Sequence, residues 1–78
     1  MALSLAVKDL VRLRLKEARK RRMMFERRYK MDFEAFKQAW DEGRIAEKHS
    51  YEVERAYWEW EATVTDEERL QQMMANLS

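Results

Sequence analysis

The residues of this chain that could do chemistry are 15 Asp and Glu, one histidine and no cysteine. Glu54 and Glu61 are seven positions apart, as are Glu52 and Glu59. On a helix that spacing returns a side chain to the same face. Either pair could therefore set two carboxylates side by side, as general acid–base catalysis requires. Most of the acids, however, sit at helical spacings beside Lys or Arg, where they read as solvated faces. There is no phosphate-binding glycine loop, and so short a chain offers little room for an enclosed pocket. His49 lies just before Ser50 and reads as a local hydrogen-bonding residue. Without cysteine, thiolate sites and disulfides are excluded, and one histidine argues against any metal site. No catalytic residue, metal ligand or cofactor is assigned, and the expectation is a non-enzymatic protein.

Two charge features remain. Residues 1–30 hold 11 Lys and Arg against 3 Asp and Glu, a net of +8. Residues 31–78 hold 5 against 12, a net of −7, so the overall +1 hides two opposed halves. Halves of opposite sign point to two different surfaces. In the basic half, "RLRLKEARKRR" runs from Arg12 to Arg22. On a helix, Arg12, Lys16, Arg19, Lys20 and Arg27 cluster on one side with Lys8, opposite the main apolar stripe. That row suits the phosphate backbone of DNA or RNA, or an anionic membrane surface. It reads equally as a solvated helix face. In the acidic half, aromatics and carboxylates interleave through "HSYEVERAYWEWE", His49 to Glu61.

Those surfaces need elements to hold them. With no proline, one glycine and 40 % charged residues, the composition favours helix over sheet. The expected fold is all-α: a long N-terminal helix followed by two or three shorter ones, in one small domain over residues 1–78. A core in so short a chain is marginal, so the open helical arrangement is expected to be completed by a partner or by self-association. No apolar run approaches the ~20 residues that span a bilayer. The N-terminus does not read as a secretory signal, which makes the cytoplasm the expected location.

The first helix is expected over Leu5 to Tyr29, with Ser4 as its N-cap. "LVRLRLK" (Leu10 to Lys16) alternates like a strand, but Val7, Val11, Leu15, Ala18, Phe25 and Tyr29 recur at helical spacing, interrupted by Arg22. Leu3, Ala6, Leu10, Leu13 and Met24 form a second apolar band. That makes the apolar part of this helix a candidate homodimer seam. The second helix is expected over Phe33 to Glu42. Asp32 is its N-cap, Met31 and Phe36 its hydrophobic staple, and Gly43 its terminator. The third starts after Ser50 with Val53, Tyr57, Trp60 and Val64 on one stripe. Thr65 to Glu68 has the form of a capping box, so the tail is either a fourth helix or a bent continuation.

Phe33, Phe36, Trp40, Tyr57 and Trp60 read most simply as core. Tyr51 and Trp58 lie off the stripe and exceed what three short helices can bury. Trp and Tyr anchor protein interfaces, and an aromatic surface rimmed by acids suits a basic protein partner. The candidate partner-binding set is Phe33, Phe36, Trp40, Tyr51, Glu54, Tyr57, Trp58, Glu59 and Glu61. Two rival readings stand beside it: a nucleic-acid-binding helical protein, and a self-associating structural adaptor.

"YKMDFEAFKQAWDEGRIAEKHSYEVERAYWEWEA", Tyr29 to Ala62, resembles short helical proteins with the outline Y-G-M-x-F-E-E-F followed by H-S-Y-E-V-E-x-D-Y-x-E-W-E. They are the antitoxin-side partners of small toxin–antitoxin pairs, beside toxins of the TumE type. The resemblance implies no enzymatic activity, a small basic toxin or nuclease as partner, and DNA contact through the basic end. This chain departs from the outline at Lys30, where the outline has glycine, and at Arg55-Ala56, where it has x-D. Without that glycine the first helix is expected to run straight into the Asp32 cap.

Overall fold

The strand-like run Leu10 to Lys16 is helical. It lies inside α1 (Ala2–Tyr29), which is followed by α2 (Phe33–Asp41) and α3 (Tyr51–Leu77). A computed structural model describes residues 2–77, and side chains from residue 6 to residue 77. The fold is all-α, and the described residues contain no strand. Ser4 lies within α1 rather than at its cap.

Why α1 is helical is clear from what it buries. Val11, Leu15, Ala18 and Phe25 are buried, with Arg22 and Tyr29 half-buried between and after them. These positions alternate by four and three, the spacing of a coiled-coil seam. Carried backwards, the alternation reaches Lys8 and misses Val7, which is 44 % exposed. On α3 the same alternation runs through Val53, Ala56, Trp60, Thr63, Glu67, Leu70 and Met74. Arg22 faces Glu67 and Phe25 stacks on Trp60, so the two helices run antiparallel. The fold as a whole is a rod of 51 × 18 × 18 Å.

The seam passes straight through the polar positions that look like breaks in the sequence. Arg22 Nε donates to Glu67 Oε2 at 2.7 Å, and Arg22 Nη1 donates to Glu26 at 2.8 Å. These hydrogen bonds, Glu67 foremost, push the guanidinium pKa up from its ordinary value. Thr63 Oγ1 donates to the Glu59 carbonyl at 2.8 Å, which satisfies its hydroxyl inside the helix. Nothing remains to stop α3 at Thr65, and it continues to Leu77. The capping-box pattern at Thr65 is not used.

The short α2 folds onto one end of the hairpin. Asp32 Oδ1 accepts from Ala35 N–H at 2.9 Å, and Met31 packs on the core beside Phe36. Phe33 and Phe36 join Phe25, Ala56 and Trp60 in one buried cluster. The Trp60 ring lies 4.9 Å from Phe36, 5.5 Å from Phe33 and 5.7 Å from Tyr29. Such pairs contribute about 0.5–1.5 kcal/mol each beyond their buried area. At the end of α2, Gly43 takes φ +72°, its N–H donating to the Trp40 carbonyl and the Arg44 N–H to the Ala39 carbonyl. Glu42, expected inside α2, is its C-cap. Ser50 caps α3 through its hydroxyl, which accepts from Val53 N–H at 3.3 Å.

The first helix does not run into the Asp32 cap. Lys30 itself adopts φ +57°, and Met31 N–H donates back to the Glu26 carbonyl at 3.3 Å. This is a glycine-type termination made by a lysine, at a cost of about 1 kcal/mol.

Candidate functional site

Trp58 and Trp60 are two residues apart on α3, and the seam decides what each does. Trp60 is on the seam and 0 % exposed; Trp58 points away from it and is 66 % exposed. Tyr51, one heptad before Trp58, is 75 % exposed on the same outward line. The core is complete without them. Among the expected partner-binding residues, Phe33 and Phe36 are core and cannot act as surface contacts. Trp40 and Tyr57 are half-buried, their rings 4.7 Å apart. Burial pushes the Tyr57 hydroxyl pKa up. Tyr57 also meets Trp58 edge-on at 6.2 Å, so the aromatics form a ladder from α2 to the outer face of α3.

The carboxylates around this ladder differ. Glu59 accepts from Arg55 Nε at 2.8 Å, and that bond raises the Arg55 pKa. Glu54 and Glu61 are half-buried, and Glu54 lies 3.6 Å from His49. Glu52 is exposed. The surface is therefore acidic, with Arg55 embedded in it and Arg28 of α1 lining the same depression as Tyr51, Glu52 and Glu59. Arg55 is not among the expected site residues, though its spacing of four from both Tyr51 and Glu59 is a sequence signal for it. Nor is Lys48, whose ammonium sits 5.3 Å from the Trp40 ring centre and covers that ring.

The basic row holds together except at Lys8, which falls on the seam line and is half-buried. Arg12, Lys16, Arg19, Lys20 and Arg27 are all exposed on the side of α1 away from α3. Arg12 pairs with Asp9 at 3.2 Å; among the described residues the other four make no ion pair. Arg22–Glu67 is the one ion pair linking α1 to α3 among the described residues. The opposite charges of the two halves thus stay mostly outward. No group of three His, Asp or Glu among the described residues is placed to hold a metal ion. No described helix is long and apolar enough to cross a membrane.

A third feature is an open groove of about 520 Å³ where α1 and α3 run on past α2. Val7, Leu10, Leu70 and Met73 line it, with Arg14, Glu17, Arg21, Asp66 and Arg69 along its rim. Comparisons with protein-family models, with curated proteins and with solved structures find no match to this chain.

Proposed function

We propose that this chain is a non-enzymatic protein-binding module, the antitoxin-like half of a two-protein complex. The observation that carries the reading is the outward pair Trp58 and Tyr51, exposed beside Glu52, Glu54 and Glu61 on a helix whose core does not need them. A large aromatic held on a rigid helix loses little entropy on binding and fits the anchor role. Carboxylates around it favour a basic partner and speed its approach. The mechanism is occlusion: the outer face of α3 lies across a basic groove of a small toxin or nuclease and blocks it.

The test is capture from native lysate after nuclease treatment, comparing wild type with Trp58→Ala/Tyr51→Ala. Both positions face solvent, so the double variant keeps wild-type helicity, and circular dichroism checks this. One small basic protein held by wild type and lost by the variant supports the proposal. Equal retention by both, or no protein retained after nuclease, contradicts it.

A second reading rests on the unpaired cations Lys16, Arg19, Lys20 and Arg27, which fit contact with a DNA or RNA backbone. Neutralising four phosphates would give a steep fall in affinity with salt. Salt-insensitive binding, or none, removes that reading.

A further inference from the structure

The α1–α3 groove combines three properties. Its floor is apolar and open: Val7, Leu10 and Met73 are 42–51 % exposed. Its rim carries both signs on both helices, Arg14, Glu17 and Arg21 on α1 and Asp66 and Arg69 on α3. Among the described residues none of these five makes an ion pair within the chain. Elsewhere each helix presents mostly one sign.

We propose that this groove docks a second copy of the same chain, forming a four-helix arrangement about a two-fold axis parallel to the helices. A two-fold interface sets one patch against itself, so it must be self-complementary. That axis lays α1 of one copy antiparallel on α3 of the other, at the heights the hairpin already fixes through Arg22–Glu67 and Phe25–Trp60. At those heights Arg21 is level with the partner's Asp66, and Glu17 with the partner's Arg69 and Leu70. Leu10 is level with the partner's Leu77, and Met73 lies about one turn from that height. Two of the three rim charges on α1 meet an opposite charge, and apolar groups meet at the end of the groove, in one register. A partner of a single charge sign would leave rim groups of its own sign unpaired. The outer row of α1 is predominantly basic and would repel a copy, so self-association is confined to the groove. The outer face of α3 stays open, and this inference stands independently of the partner proposed for it.

The test is a charge-swap pair read by sedimentation equilibrium. Wild type is expected to approach twice its 9.6 kDa mass as concentration rises. Glu17→Arg alone sets like charges against the partner's Arg69 at both symmetric sites. Arg69→Glu alone sets like charges against the partner's Glu17. Each single variant is expected to associate roughly 10-fold or more weakly. Mixing the two variants restores dimer, because each crossing then pairs opposite charges. Both positions face solvent, so folding is preserved, and unchanged helicity verifies it. A wild-type chain that stays monomeric, single variants that associate like wild type, or a mixture no stronger than its components would each overturn the proposal.

Discussion

The two ends of the α1–α3 hairpin are built from the same pair of helices and do opposite things. At one end α2 lies over the seam, and Phe25, Phe33, Phe36, Ala56 and Trp60 form a closed cluster. At the other end only the seam line itself, Val11, Leu15 and Ala18, is buried, while Val7, Leu10, Leu13 and Met73 face out. Two helices can shield one line of side chains between them, and a third body is required to shield the flanks. The covered end therefore holds the fold, and the uncovered end is left with surface for association.

Replacing residues at each end sharpens this contrast. Trp60→Ala removes the centre of the closed cluster, and about 3–5 kcal/mol is lost. A chain of this length has roughly 4–12 kcal/mol in all, so the variant is close to unfolding. Leu15→Ala at the open end costs less, about 2 kcal/mol, since water and neighbours can take up part of the space. Equal losses in chemical denaturation would contradict the contrast.

Between the ends stands the Arg22–Glu67 pair. Arg22→Met alone strands a largely buried carboxylate and costs about 2 kcal/mol. Arg22→Met/Glu67→Met returns to within about 1 kcal/mol of wild type. If the double variant is the sum of its parts, measured by urea unfolding, the pair is not the coupled unit described here.

Lys30→Gly relieves the left-handed backbone at the end of α1 and stabilises by about 0.5–1 kcal/mol. A destabilisation would mean the lysine side chain holds the turn. The smallest effect concerns pH. Burial, then Glu61 and Asp41, raise the Tyr57 pKa above 10.0. The unfolded chain therefore releases that proton first. This contribution is complete below pH 10 and is lost as pH rises through the higher folded value. Tyr57→Phe flattens the alkaline decline in melting temperature.

Much of this was legible locally. The Asp32 cap, the Met31–Phe36 staple, the Gly43 stop and the Ser50 start are signals within a few residues of one another. The outward placement of Trp58 and Tyr51 followed from the apolar stripe of the third helix. What could not be read locally was the seam. Arg22 and Glu67 look like interruptions on their own helices, and 45 residues separate them; only the antiparallel pairing makes each the other's partner. Ala56 and Thr63 are buried there because the helices approach closely, which no hydrophobicity pattern announces. Lys30 ends a helix where only glycine is expected, because Met31 and the Asp32 cap just before α2 demand the turn. Phe33 and Phe36 are core, as their spacing suggests, because α2 turns its apolar face onto Trp60, and that same burial removes them from the partner surface.

Amide hydrogen exchange along α1, followed at low and high protein concentration, tests the account most directly. Strong protection is predicted from Arg22 to Tyr29 at every concentration, since α2 closes that end. From Val7 to Leu15, weaker protection that rises with concentration is predicted, as the groove becomes covered. Uniform protection along α1, unchanged by concentration, would contradict both the division of the hairpin into two ends and the role assigned to its open groove.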